Sequence, residues 1–267
     1  MTGAAPRPVI FIGGLHRSGT SVIHRCIAAH PDVSGFHGTG VHEDEGQHLQ
    51  TVYPPAYRHG GPGAFAFDPA AHLTEASPLA VPANRAALLE QWSPHWDAGA
   101  AVVVEKSPPN LVRTRFLQAL FPEAVFVLVA RHPIAVAEAT RKWRRATRTA
   151  LIHHWVVSHR TMLADVPHLA RVHVLRYEDF VADPGRELAA VFQLVGLPPQ
   201  SATELVRAGI NRRYFDSWQA RTRAPLGGLD CRVAIRRFDA EAQRWGYSLR
   251  DPERLGPPPD LARLAAA

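Results

Sequence analysis

The stretch Gly14-Leu15-His16-Arg17-Ser18-Gly19-Thr20-Ser21 brackets a turn with glycines, places a cation inside it and sets two hydroxyls just after it. It follows the apolar run Val9–Gly13, which reads as a strand, and opens Thr20–Ala29, which reads as a helix. A strand, a glycine-bracketed turn and a helix N-terminus make an anion cradle, because backbone N–H groups point inward and the helix dipole favours negative charge. Four residues separate Gly14 from Gly19, which is the spacing of a nucleotide-phosphate loop. That pattern continues with Lys before Ser or Thr. Here Thr20-Ser21 follows directly, and the cation is Arg17, inside the loop. An NTPase needs the lysine on its terminal phosphates and a hydroxyl on Mg²⁺. A loop with its cation inside suits a 5′-phosphate whose bridging oxygen is the leaving group. Gly14, His16, Arg17, Ser18, Gly19, Thr20 and Ser21 are therefore the candidate phosphate ligands.

Two more cations end apolar runs. Val125–Ala130 leads into Arg131-His132-Pro133, with proline where a helix's first turn tolerates it. That places the Arg131 guanidinium at the carboxyl edge of a sheet, where open α/β sheets bind ligands. Ala101–Glu105 leads into Lys106-Ser107-Pro108-Pro109. A lysine at a sheet edge is commonly just solvated.

These motifs resemble those of sulfotransferases that use 3′-phosphoadenosine-5′-phosphosulfate (PAPS) and release 3′-phosphoadenosine-5′-phosphate (PAP). His16-Arg17-Ser18-Gly19-Thr20-Ser21 is similar to the family's 5′-phosphosulfate loop, and Ala29-His30-Pro31-Asp32-Val33 to the His-Pro-Asp-Val after that loop in the tyrosylprotein and heparan sulfate branches. Glu105-Lys106-Ser107-Pro108 resembles the Glu-Lys-Ser/Thr-Pro of the same branches, which implies that Lys106 lies near the transferring sulfuryl group and stabilises charge on the bridging oxygen of a loose transition state. Tyr177-Glu178-Asp179-Phe180 with Asp183-Pro184 resembles a segment common across the family. Tyr177 is a candidate nucleotide contact, Tyr177 and Phe180 should pack, and Asp183 should cap the next helix. The resemblance spans about residues 9–250. It implies that Arg131 and a serine eight residues on hold the 3′-phosphate; Ala139 stands at the serine's place, and the adjacent Thr140 is the candidate replacement. Arg221 and Arg223, in a Gly- and Pro-bearing segment, are candidates to cover the nucleotide.

An acceptor hydroxyl must lose its proton as it attacks, so a base is required within hydrogen-bond reach. The resemblance implies a glutamate shortly after His-Pro-Asp-Val, but Gly38 stands at the ungapped position. Glu43, Asp44 and Glu45 come next, among His37, His42 and His48. If Val41–Val52 is a helix, His42, Glu45, Leu49 and Val52 share one face, which nominates Glu45. His42 and His48 remain rivals, because a histidine is the base in the phenol and steroid branches. All three acids could instead simply complement a helix N-terminus.

The elements that must position these groups are legible as alternating short apolar runs and longer amphipathic ones. Strands are expected at Val9–Gly13, Val33–Phe36, Ala101–Glu105, Val125–Ala130 and Val172–Arg176. Helices are expected at Thr20–Ala29, Pro82–Trp96, Asn110–Leu120, Pro133–Arg145, Ala150–Ala164, Pro184–Leu194 and Cys231–Trp245. Nearly unbroken apolar strands are those covered on both faces. The fold class expected is α/β, a P-loop-like open parallel β-sheet flanked by helices, in one domain over residues 1–267. Residues 35–77, rich in glycine and aromatics with weak periodicity, read as an acceptor-site or lid insert. The N-terminal Met1–Pro8 and residues 251–267 read as loose ends.

Composition narrows the alternatives. The net charge of +6 is carried mostly by scattered arginine, which suits oxyanion ligands better than a nucleic-acid tail would. A polyanion binder would want a contiguous basic face with aromatics. A P-loop kinase or NTPase would need the missing lysine and an acidic strand end for Mg²⁺, for which Glu105 is the only candidate. The two cysteines, Cys26 and Cys231, have no metal or disulfide spacing, and the 15 histidines form no HExxH. No metal is expected. The short apolar run at Val9–Ile12 is no signal peptide and no segment suits a bilayer span, so the expected location is cytoplasmic. The expected partner is a small-molecule or glycan hydroxyl acceptor, with no nucleic acid.

Overall fold

Five parallel strands lie in the order β2-β3-β1-β4-β5 in the computed structural model, which describes residues 7–225 and 228–261. They are β1 (Val9–Gly14), β2 (Val33–Gly35), β3 (Val102–Lys106), β4 (Val125–Ala130) and β5 (Val172–Arg176). Each falls within about one residue of its expected bounds. β1 is central, with Ile12 opposite Lys106 on one side and Gly14 opposite Val129 on the other. The loop after Gly14 therefore opens between the ends of β3 and β4, which carry Lys106 and Arg131.

The side chains of β1 and β4 alternate between two cores. Phe11, Phe126 and Leu128 face one side, where α2 (Pro82–Trp92), α3 (Thr114–Leu120), α4 (Pro133–Thr140), α5 (Arg148–Asp165), α8 (Arg212–Arg223) and α9 (Leu229–Gln243) pack. Ile10, Ile12, Val125, Val127 and Val129 face α1 (Thr20–Ala28), α6 (Tyr177–Ala182) and α7 (Pro184–Val195). Cover on both faces explains why the strands read as unbroken apolar runs. Each phenylalanine buried this completely contributes roughly 2–3 kcal/mol. Phe180 is fully buried and Tyr177 nearly so, and Asp183 accepts a hydrogen bond from the Arg186 amide at 3.0 Å, the expected cap.

Several boundaries differ from expectation. Val41–Val52 is not a helix. Gly40, Glu43 and Asp44 take positive φ, and only two short 3₁₀ turns form, at His42–Asp44 and Gly46–His48. Side chains compete for the backbone there: Asp44 accepts from the Gly38 and Thr39 amides, Gln47 from Ala56, and Gln50 from Val52 and Tyr53. α4 stops at Thr140 rather than Arg145, and one further turn follows, in which the Thr140 carbonyl accepts from the Trp143 and Arg144 amides. Pro108–Val112 is a 3₁₀ turn, and α3 begins only at Thr114. α8 was not anticipated: its apolar stripe is only Tyr214, Phe215 and Trp218 among many charged residues.

Between β2 and α2 there is no α-helix or strand, yet this stretch is packed inward, with Tyr53, Ala56, Phe65 and Ala71 buried. Neither expected loose end is wholly loose. Arg7 donates to the Asp97 carbonyl, and the Arg176 guanidinium donates to the Gly256 and Pro257 carbonyls. Residues 1–6 and 262–267 of those ends lie outside the described residues. Among the described residues no helix is long and apolar enough to cross a membrane.

Candidate active site

The loop after β1 is held open by two residues of positive φ, Arg17 (70°) and Gly19 (100°). Alternating handedness turns successive N–H groups to one side, as an anion site requires. Gly19 is obligatory twice over: its φ is left-handed, and a Cβ there would lie 2.3 Å from the Tyr177 ring. The loop borders a cleft of about 310 Å³ lined by His16, Arg17, Gly19, Thr20, Ser21, His42, Glu45, Arg131, Trp143 and Tyr177, with Arg213 and Tyr214 from α8. Ser18 is buried behind the loop, and its hydroxyl has no protein partner.

Arg17 lies over the Trp143 ring, 4.8 Å from its centre, and has no acidic partner among the described residues. Arg131 is nearly buried and rigidly held. It donates to the Arg17 carbonyl at 2.8 Å and twice to Asn211 Oδ1, and lies 4.4 Å over the Tyr177 ring. Asn211 is itself fixed by donating to Glu178 at 2.7 Å. Three of the five guanidinium hydrogens are committed in this way, which leaves two for a ligand.

Across the cleft the end of β3 grips residues 45–47 at three successive positions. The Gly46 amide donates to Glu105 Oε1 at 3.0 Å, Lys106 Nζ donates to Glu45 Oε1 at 3.1 Å, and the Gln47 amide donates to Ser107 Oγ at 2.9 Å. Gly46 permits this contact, since a Cβ there would lie 2.5 Å from Glu105 Oε1. Glu105 also accepts from Ser107 Oγ and Asn110 Nδ2 and is fully buried; burial pushes its carboxyl up to about 7. Glu45 is thus turned inward by β3, not by a helical face. Its other oxygen, Oε2, accepts from Gln47 and lies 3.7 Å from His48 Nε2. His42 stands edge-on to both His48 and Trp143. All three base candidates are therefore brought together. Burial lowers the His48 pKa, and it holds His16 down at about 3, so the His16 ring is neutral.

Lys106 lies behind Glu43 and Glu45, and its ammonium also donates to the Glu43 carbonyl at 2.9 Å. It lines a neighbouring cavity with Ser21, His24, Arg25, Glu43 and Asp44. Ser21 Oγ donates to Glu43 Oε2 at 3.3 Å, which joins the loop to that wall.

Three sequence candidates lie elsewhere. Thr140 is buried, packs beside Gly63 and does not line the cleft. Arg221 faces a separate groove, and Arg223, on the last turn of α8, does not line the cleft either. α8 instead presents Arg213 and Tyr214, because the buried stripe Tyr214-Phe215-Trp218 fixes which face looks inward. Trp143, Arg213 and Tyr214 were missed; the aromatic spacing of α8 was a signal for the last two alone.

The sequence of residues 8–201 matches the model of the sulfotransferase family. The chain belongs to the sulfotransferase family. Solved structures agree on the sulfotransferase fold. The sulfotransferase domain of the Synechococcus PCC 7002 olefin synthase is 19% identical with a TM-score of 0.53, covering 93% of this chain and 98% of that one. Sulfotransferase STF9 from Mycobacterium avium is 15% identical with a TM-score of 0.50, covering 95% and 79%. Among the described residues of this sulfotransferase, no group of three or more His, Cys, Asp or Glu side chains is placed to hold a metal ion.

Proposed function

We propose that this sulfotransferase takes a sulfuryl group from PAPS and transfers it by in-line displacement to an acceptor hydroxyl. The observation that carries the reading is the convergence of Arg17, Arg131 and Glu45 on one cleft at the N-terminus of α1, with Lys106 paired to Glu45 from behind. The residues fit the nucleotide. The loop offers inward N–H groups and an arginine without an acidic partner among the described residues, and Arg131 retains two donors beside an aromatic face. Bound there, PAPS supplies the sulfuryl group and a phosphate leaving group.

The chain's own groups divide the rest of the work. Loop amides and Arg17 hold the 5′-phosphosulfate and balance the charge that grows on the leaving oxygen. Arg131, fixed by Asn211 and Tyr177, takes the 3′-phosphate; Arg213 and Tyr214 are better placed than Thr140, Arg221 or Arg223 to assist it. Glu45 takes the acceptor proton, with His48 next in line. Lys106 donates to Glu45 and to the Glu43 carbonyl, and its third hydrogen is left to steady the transferring group. Glu105 does not support the NTPase alternative, because both its oxygens are committed to Gly46, Ser107 and Asn110 behind the cleft.

Thermal shift and turnover test this reading. PAP should raise the melting temperature more than ADP does, since a ligand of the native state stabilises it. Sulfuryl transfer should survive EDTA. A larger shift with Mg-ADP, or activity lost to the chelator and restored by Mg²⁺, would favour the kinase reading.

A further inference from the structure

A second concave surface lies beside the cleft and has no role in the chemistry above. It is an open groove of about 470 Å³ lined by Arg141, Arg144, Arg145, Arg148 and Arg221, with Asp230 as its one acid. Asp230 offsets only one of the five charges, and its carboxylate is fixed in place by the Arg148 and Thr149 amides and the Thr149 hydroxyl. Glu138 pairs with Arg148 and lies 3.6 Å from Arg141. Arg144 donates to the Gly60 carbonyl, and Arg145 and Arg221 have no acidic partner among the described residues. Like charges gathered this way repel, and an oxyanion placed among them relieves the repulsion. Guanidinium forks also match the geometry of phosphate or sulfate oxygens.

The groove is tied to the cleft by two elements. The segment after α4 carries Trp143 on the cleft wall and Arg141, Arg144 and Arg145 in the groove. α8 carries Arg213 on the cleft wall and Arg221 in the groove. Eight residues of helix separate these two arginines, a rise of about 12 Å. One molecule can span both.

We infer that the groove binds a phosphate or sulfate ester carried by the acceptor itself, at the end remote from the hydroxyl that is sulfated. The acceptor is then an extended molecule, anionic at its far end and positioned there before its hydroxyl meets Glu45. The inference rests on the sulfotransferase reading and names the substrate class of that same site.

The test uses oligo(ethylene glycol) chains of graded length with a hydroxyl at one end and a phosphate at the other, beside uncharged chains of equal length, with PAPS as donor. Phosphorylated chains long enough to reach from the cleft to the groove should show a KM at least about tenfold lower than uncharged ones of equal length. Arg141→Ala with Arg145→Ala should erase that advantage and leave kcat within about twofold. Equal KM values for the two series, or an advantage untouched by the double substitution, would overturn the inference. Pyrophosphate binding to the PAP-saturated protein gives a reading without turnover. It should weaken at least about tenfold in the double variant, and unchanged affinity overturns the inference. Failure of PAP to bind would sink the PAPS reading instead; the effect of the double substitution on pyrophosphate would then be read on the free protein.

Discussion

Lys106 and Glu45 form an ion pair of 3.1 Å with both side chains almost wholly buried, although 61 residues separate them in sequence. Each charge is tolerable there only because the other is present. Lys106→Ala strands a buried carboxylate and should destabilise the protein by about 3–5 kcal/mol, read by denaturant unfolding. Glu45→Gln keeps the shape and leaves Lys106 its bond to the Glu43 carbonyl. It should lower kcat by about 10²-fold or more with PAP affinity unchanged. A near-native kcat would move the base to His48 or His42.

Gly46→Ala should reproduce much of that catalytic loss without touching a reacting group. The added methyl would meet Glu105 Oε1 at 2.5 Å and push residues 45–47 off the end of β3. The expected signature is reduced kcat with PAP binding retained. Native kcat in Gly46→Ala would show that the grip of β3 does not set the position of Glu45.

Arg17→Ala removes the cation inside the loop and its contact with Trp143. PAP affinity should fall by about 2–4 kcal/mol, measured by calorimetry, because a charge-assisted phosphate contact is lost. Turnover should become undetectable. Unchanged affinity would exclude the loop as the 5′-phosphate site.

Acid should unfold this protein readily. Burial holds His24 and His159 at about 4 and His132 and His154 at about 3. These folded values lie below the unfolded value near 6.5, so the unfolded state binds more protons as pH falls, and stability present above pH 6.5 is lost below it. Together the four should remove roughly 4–6 kcal/mol by pH 5.5. Glu105, raised to about 7, acts in the opposite direction: its contribution is full below its unfolded value of 4.5 and is lost as pH rises through 7. The four histidines outweigh it, and urea midpoints should fall steeply from pH 6.5 to 5. A flat profile over that range would show that these rings are protonated in the native state.

The sheet, the glycine-bracketed loop and the placing of Lys106 and Arg131 at strand ends were legible in the sequence alone. These are local features: an unbroken apolar run encodes a strand covered on both faces, and a glycine-bracketed segment between a strand and a helix encodes a tight turn whatever lies elsewhere. Glu45 was also nominated from sequence, but through a helix that does not exist. Only the tertiary structure supplied its actual support, because Glu105, Lys106 and Ser107 reach it from about 60 residues away in sequence. Thr140, Arg221 and Arg223 lie off the cleft for a related reason. Which face of α4 or α8 looks into the cleft depends on what packs against the other face, and for α8 that is fixed by Tyr214, Phe215 and Trp218 meeting the core. Residue type and spacing specify what a group can do; long-range packing decides which groups share a cleft.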